Sequence, residues 1–319
     1  MEKETLISVN QLSRFYGQQR AIENVSFDVY RGEILGFLGP NGAGKSTTMQ
    51  IISGILAANH GSVKIAGHDI YDEPKAAKQH IGFLSEQPPL YTDLTVDEYL
   101  IYSGKLRGIT KAELNDAVKI SKQRCGLEKS GSRLINNLSK GYKQRLGIAQ
   151  AIIHSPSVII LDEPTSGLDP IQIHEIRDLM KELAEVHSVI LSTHILSEVQ
   201  SLCDRVLIIN HGNIVLDQLL QQLQGNQKIE SIVIGLKYPP KLDDLLTIDG
   251  VIGAESVGET LLKLCFAEGV DATDAIVNKA AQESWGLYSL SQDDSSLESV
   301  FMKLTYGEEL TQTEEGSME

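Results

Sequence analysis

In the segments "TLISVNQL" (residues 5–12) and "NVSFDVY" (24–30), apolar and polar positions take turns. That is the pattern of antiparallel strands with one buried face. "EILGFLG" (33–39) is more continuously apolar and predicts a short buried strand. "GSVKIAGHDI" (61–70) repeats the strand-and-turn style, and "HIGFLSEQPP" (80–89) brings another strand to a stop at Pro88 and Pro89. From residue 95 to about 127 the pattern turns helical, with charges spread around Val96, Leu100, Leu106, Leu114 and Val118. Helix resumes near Ser139 and runs to His154, halted by Pro156. "SVIILDEP" (157–164) is a continuous apolar strand of the kind found in a parallel sheet covered on both faces. A helix over 170–186, the strand "SVILSTH", the helix "ILSEVQSLC" and the strand "RVLIIN" follow. Strands alternating with helices predict an α/β parallel sheet.

The style changes after a turn at "HGNI" (211–214). "QLLQQLQGNQK" is polar and glutamine-rich, and it predicts a helical linker ending at Gly225. Beyond it the order strand, helix, strand, strand, helix, strand suits a small ferredoxin-like β-α-β-β-α-β unit. A last amphipathic segment, "SLESVFMKLT", puts Leu297, Val300, Phe301 and Leu304 on one helix face, to complete this small core or to meet a second chain. From Glu308 onward there are five glutamates and no basic residue, the composition of a frayed acidic tail.

The 319 residues, 41% hydrophobic, suffice for about two domains. A net charge of −15 argues against a nucleic-acid partner, because phosphate neutralisation needs clustered Lys and Arg. It also argues against adsorption to an anionic membrane surface. No apolar run approaches the ~20 residues of a membrane span, and the start of the chain lacks the apolar stretch of a signal peptide. Cys125, Cys203 and Cys265 are widely separated, as structural thiols in a reducing cytoplasm would be. The expectation is a soluble cytoplasmic chain without direct membrane insertion.

The chemistry begins between a predicted strand and a predicted helix, at "LGPNGAGKSTTM". Gly39, Gly44, Lys45 and Ser46 fit the spacing of a phosphate-cradling loop in the strand-to-helix context that loop requires. Gly39, Pro40, Asn41, Gly42, Ala43 and Gly44 would turn backbone N–H groups onto phosphate oxygens, and the helix opening at Lys45, Ser46 and Thr47 would point its dipole at the same anion. Lys45 would reach the β- and γ-phosphates, and the Ser46 hydroxyl would ligate Mg²⁺. The bland alternative is a glycine-rich turn with an exposed lysine.

Four further segments stand in fixed order with this loop: "RFYG" containing Tyr16, "LSKGYKQRLGIAQA" from Leu138, "VIILDEPTSGLDP" from Val158, and "LSTH" ending at His194. Together they resemble the ATP-binding cassette subunits of ABC transporters, from about residue 8 to residue 216. Within that family the signature segment and "SLESVFMKLT" look most like cassettes of ABC-2-type exporters, associated with drug export, copper-enzyme maturation and gliding. The resemblance implies an α/β fold class: a P-loop ABC ATPase core, with a parallel sheet, an antiparallel β subdomain and a helical subdomain, plus the small C-terminal α+β ferredoxin-like domain. It divides the chain into a cassette at 5–225, with the helical subdomain at about 88–156, a C-terminal domain at 226–306 and an acidic disordered tail at 307–319.

Each segment carries a reading beside its bland alternative. Asp162 ends an apolar strand, where a carboxylate can hold Mg²⁺ through its water shell or pair structurally with an arginine. Glu163 would polarise the attacking water as general base, as the resemblance implies. His194 ends the next strand, either as a structural histidine or as a γ-phosphate contact. Asp169 matches the family's loop across the dimer interface. Ser139 suits a helix N-cap, and the resemblance makes the helix start at Ser139 and Gly141 a γ-phosphate site for ATP held by a second cassette. Here Lys140 and Tyr142 depart from the commonest family pattern, LSGGQ, and Lys140 either adds charge near the phosphates or lies in water. The loop that usually carries a glutamine on Mg²⁺ has Glu86 at that position by strand alignment, with Gln87 next to it. Tyr16 resembles the aromatic that stacks on adenine; an ordinary core aromatic is the other reading.

The implied cofactors are ATP and Mg²⁺. The implied partners are a second cassette, identical or paralogous, and transmembrane permease subunits that would hold the chain on the inner face of the cell membrane. The rival class is a soluble ABC-type ATPase of translation or DNA repair. It is disfavoured by the single cassette, the short interval between Lys45 and Leu138, and the negative charge. A purely regulatory cassette is disfavoured by intact Lys45, Asp162, Glu163 and His194.

Overall fold

The computed structural model describes residues 4–225, 231–258, 260–267, 269–292, 301–302 and 304–305. The chain folds as two compact units, Met1–Leu220 and Gln221–Glu319. The first begins with β1 (Thr5–Tyr16), β2 (Gln19–Tyr30) and β3 (Ile34–Leu38). Next come α1 (Lys45–Ile52), β4 (His60–Ile65), β5 (His68–Asp69), α2 (Pro74–Gln79) and β6 (Ile81–Leu84). Three helices follow, α3 (Val96–Leu106), α4 (Leu114–Arg124) and α5 (Lys140–Ile152), then β7 (Val158–Asp162), α6 (Pro170–Ala184) and β8 (Ser188–Thr193). The unit closes with α7 (Leu196–Leu202), β9 (Arg205–Asn210), β10 (Asn213–Leu219) and the start of α8 (Leu220–Gly225).

Two sheets result. The antiparallel sheet runs β2-β1-β4-β5, and the larger one runs β10-β9-β3-β8-β7-β6. In the larger sheet β9, β3, β8, β7 and β6 are parallel, and β10 joins the edge antiparallel to β9. The continuous apolar strands are explained by what lies on each face. Val158, Ile160 and Ile190 share one core with the antiparallel sheet and with Met49, Ile51 and Ile52 of α1. Ile159, Leu161, Val189 and Leu191 face a second core built from the helices, including Leu100, Leu146 and Leu179. Of the three free cysteines, Cys125 is fully buried, and burial pushes its thiol up to about 12, out of reach of ordinary thiolate chemistry.

Two elements differ from the sequence expectation. The helical stretch expected over 95–127 is two helices. Thr95 and Glu98 form a reciprocal capping box at the start of α3. Its end is a left-handed turn at Gly108 (φ 79°), where Gly108 N–H bonds to Lys105 O and Ile109 N–H to Gly104 O. That pair of bonds satisfies the last carbonyls and stops the helix. The second difference is β10, which occupies residues expected to be turn and linker. It is an edge strand with Val215, Asp217 and Gln218 exposed, so its composition reads as polar although its backbone pairs with β9.

The second unit contains β11 (Ser231–Leu236), α9 (Leu242–Leu245), β12 (Val251–Ser256), β13 (Leu261–Phe266), α10 (Thr273–Gln282) and β14 (Leu287–Gln292). Its sheet is antiparallel in the order β12-β13-β11-β14. Ile234, Leu236, Leu264, Phe266, Ile276 and Trp285 are among its core residues. Helix α9 is a single turn. Phe301, Met302, Leu304 and Thr305 are helical. Leu297, Val300 and the acidic tail lie outside the described residues.

The joint between α5 and β6 makes the first unit sensitive to acid. His154 Nε2 lies 3.1 Å from Ile81 O, and burial, then the nearby Arg107, pull its pKa down to about 4. His187, whose Nδ1 lies 2.6 Å from Pro156 O, is lowered too, first by burial. Both are therefore neutral in the fold, while the unfolded chain takes up protons below about pH 6.5. Stability is full above that pH and is lost as pH falls toward 4, by up to about 3 kcal/mol for His154. Urea unfolding at pH 7 and pH 4.5 should show that loss. His154→Gln, which keeps a donor for Ile81 O, should make it measurably smaller.

Candidate active site

The site is assembled where β3, β7 and β8 end. After β3 the chain enters the glycine loop. A Cβ on Gly39 would lie 2.4 Å from the carbonyl oxygen of Ile209, so the close approach of β9 requires glycine there. Gly44 caps α1 with φ 108°, a backbone region closed to ordinary side chains. Ala43 is buried and its carbonyl accepts from Gly212 N–H, which ties the loop to the β9–β10 turn. Pro40 and Thr47 are half-buried, while Asn41 and Gly42 are exposed. The alternative of an exposed lysine fails. Lys45 is buried, with Nζ donating to Gly39 O at 2.8 Å and Pro40 O at 3.3 Å, and it stands 3.4 Å from Glu163 Oε1.

Asp162 ends β7 directly opposite Ser192 of β8. Its Oδ1 accepts the Ser192 hydroxyl at 2.7 Å. Burial pushes its carboxyl above the usual range, against the opposite pull of hydrogen bonds from Ser192 and Ser46 and of the Lys45 charge. The next residue, Glu163, is buried and adopts φ 49°, a left-handed conformation uncommon outside glycine. Its N–H donates to Ser192 O at 2.8 Å. Its Oε2 lies 2.8 Å from His194 Nδ1, and because a carboxylate can only accept, the imidazole carries the proton on Nδ1. Lys45, Ser46, Asp162, Glu163 and His194 thus form one connected group.

Glu86 and Gln87, on the loop after β6, are both exposed and line a cavity of about 1160 Å³ that also touches Ser46 and Asp162. Gln87 O accepts from the Ser85 hydroxyl. Tyr16 is no core aromatic: it is 47% exposed at the end of β1, with the Arg14 guanidinium carbon 4.9 Å from its ring centre.

The signature residues lie elsewhere. Ser139 is the N-cap of α5 and its hydroxyl accepts from Tyr142 N–H at 3.4 Å. Asp169 is the N-cap of α6, accepting from Gln172 N–H at 3.0 Å. Gln172 packs against Gly141, where a Cβ would meet its amide oxygen at 2.5 Å. Lys140 is exposed, and its Nζ would lie 2.3 Å from a Cβ on Gly167. Tyr142 is exposed, with Arg133 over its ring. Among the described residues no hydrogen bond or ion pair joins residues 139–142 to the phosphate loop.

Residues 22–166 match the family model described as ABC transporter. Over 94% of its length this chain is 32% identical to the whole of YxlF, an uncharacterized ABC transporter ATP-binding protein of Bacillus subtilis (strain 168). The chain belongs to the ATP-binding proteins of ABC transporters. It is also 33% identical to the bacitracin transport ATP-binding protein BcrA of Bacillus licheniformis, covering 95% of this chain and 98% of that one. A solved ATP-binding subunit of an ABC transporter superposes with a TM-score of 0.63 and 33% identity, over 69% of this chain and 92% of the other. As an ABC ATP-binding subunit, the chain has no helix among the described residues that is long and apolar enough to cross a membrane.

Within this ABC fold, several contacts escape sequence reasoning. Ser192 opposite Asp162 follows from the strand register, which the sequence pattern does not reveal. Arg14 beneath Tyr16 and Gln172 against Gly141 have no signal in the sequence. Glu198 of α7 is fully buried and accepts hydroxyls from Thr165 and Thr193, which stand next to the Glu163 and His194 segments.

Proposed function

We propose that this chain is the ATPase subunit of an ABC exporter, which binds Mg·ATP between two cassettes packed head to tail and uses its hydrolysis to drive separate membrane subunits. The observation that carries the reading is the connected group of Lys45, Asp162, Glu163 and His194 at the ends of three parallel strands. The relatives are transporter subunits over nearly their whole length, which favours transport over translation or repair. BcrA is by its name a bacitracin transport protein, and this likeness supports export.

Oxygen donors fit Mg²⁺ here: Asp162 is a buried carboxylate that burial disfavours in its charged form, and the Ser46 hydroxyl is bonded to it. Held by Ser46 and Asp162, with Glu86 or Gln87 from the facing loop, the cation would neutralise charge on the β- and γ-phosphates. The Lys45 ammonium binds the same phosphates. Doing so draws it from Glu163 Oε1, which is then free to accept a proton from the attacking water. His194 holds Oε2 through Nδ1–H, which would keep the carboxylate in place beside a bound γ-phosphate. Residues 39–47 cradle the phosphates with backbone N–H groups, and Tyr16 offers its exposed ring to adenine. Ser139, Lys140, Gly141 and Tyr142 present an α5 N-terminus with no bond to their own phosphate loop, which suits a γ-phosphate held by a second cassette. Asp169 would lie at that interface. The chain would reside at the cytoplasmic face of the membrane through its permease partners, and co-purification with a membrane protein from detergent extract tests this.

Three sets of variants test the site. Lys45→Ala removes the charge that compensates the triphosphate and should abolish ATP binding; unchanged affinity in a direct titration would sink the phosphate-loop role. Glu163→Gln should keep ATP binding while hydrolysis falls by about 10²-fold or more, and it should accumulate as an ATP-bound dimer on gel filtration. Near-normal turnover would move the general base elsewhere. Glu86→Gln should retain hydrolysis, whereas Glu86→Ala should slow it roughly tenfold, about 1.4 kcal/mol, and Gln87→Ala should leave it near normal. Steady-state assays at saturating Mg²⁺ decide. A crippled Gln87→Ala beside an active Glu86→Ala would hand the metal-facing role to Gln87.

A further inference from the structure

We propose that Glu198 is a positioning residue that sets the geometry of Glu163 and His194. Its carboxylate is fully buried and has two arms: Oε1 accepts from the Thr165 hydroxyl at 2.6 Å, and Oε2 from the Thr193 hydroxyl at 2.8 Å. Thr165 follows Glu163 by two residues, and Thr193 directly precedes His194. One carboxylate therefore clasps both chain segments whose side chains meet at the 2.8 Å contact between Glu163 Oε2 and His194 Nδ1. Glu163 sits in a left-handed conformation, so the segment leaving it needs an anchor to stay there.

The competing account is a buried ion pair that merely supports the fold. Its cation would be Arg177 of α6, but that guanidinium stands 3.7 Å from Oε1 and also donates to the Ser197 hydroxyl. The short contacts of Glu198 are to the two threonines. A carboxylate accepts at both oxygens, so both hydroxyls can donate at once. An amide cannot do this. With one oxygen and one NH₂, it forces one threonine to reverse its hydroxyl, and Thr193 Oγ1 already accepts Ile195 N–H at 3.1 Å. A carboxylate is thus the acceptor that lets both threonines donate, whereas a glutamine of the same size would keep one such bond and reverse the other.

The inference rests on the ATPase reading, and the full-length chain tests both separately. A wild-type chain that binds ATP but never hydrolyses it, with or without its membrane partner, fails that reading. With wild-type turnover established, Glu198→Gln and Thr193→Val should each lower kcat about tenfold while the Kd for ATP stays within twofold. Thr193→Ser, which restores the hydroxyl, should recover the rate. In a His194→Ala background, Glu198→Gln should add less than a twofold loss, because the geometry it maintains is already gone. Full turnover in both Glu198→Gln and Thr193→Val overturns the proposal. So does the same tenfold loss in the His194→Ala background, which marks an independent structural effect. Should Glu198→Gln fail to fold, the Thr193→Val and Thr193→Ser pair decides: equal impairment, or no impairment, overturns it.

Discussion

The site depends on the parallel register of β3, β8 and β7. Leu38 stands beside Thr193 and Asp162 beside Ser192, so the three strands finish level and release their loops toward one place. Apolar patterning does not fix this register, because Val158 and Ile160 are as buried on one face as Ile159 and Leu161 are on the other. A slip of one residue would exchange the two faces at little hydrophobic cost, unlike a strand with one wet face. The polar strand ends supply the missing specificity. The Ser192 hydroxyl on Asp162 and the Glu163 N–H on Ser192 O can both form in one register. The bonds that seat the two acids are therefore also bonds that align the sheet.

That arrangement gathers more charge than the interior tolerates comfortably. Asp162 and Glu163 are adjacent buried acids with Lys45 as their shared cation, and Lys45 is divided among Glu163 and two loop carbonyls. Burial pushes the Asp162 carboxyl upward, the direction expected for an acid with too little positive charge nearby. A divalent cation held there would correct the deficit at Asp162, and a triphosphate would give Lys45 a stronger partner than Glu163. On the proposed reading, ligand binding and the freeing of Glu163 as general base would be one redistribution of charge. The imidazole of His194, nearly half exposed, is what keeps Glu163 in place while its other oxygen changes partners.

Much of this was legible in the sequence for physical reasons. A phosphate loop needs glycine where the backbone crowds Ile209 O, and a strand buried on both faces can only be apolar until it ends in Asp162. The break at Gly108 was also written in the chain, since a left-handed helix end favours that residue, but its apolar spacing continued across the break and masked it. The edge strand β10 was not legible, because it is held by backbone pairing with β9 while Val215, Asp217 and Gln218 face water. Glu198, Thr165 and Thr193 were hidden for a different reason. Their relation is purely three-dimensional, between three segments that no periodicity links. Glu86 and Gln87 both reach the cavity, so an alignment by strand alone cannot separate them.

The departure at Lys140 gains a physical meaning from its place in the fold. The sequence leaves two readings, charge near the phosphates or a solvated side chain. The structure puts the exposed Lys140 Nζ against Gly167, on the loop between Glu163 and Asp169, in the same chain. Glycine at 167 serves the left-handed turn (φ 67°), and the exposed lysine end lies over it. Lys140 therefore lies beside the loop that runs from Glu163 to the α6 cap. Gln172 packs from α6 against Gly141. The start of α5 and the loop ahead of α6 thus lie side by side in this fold.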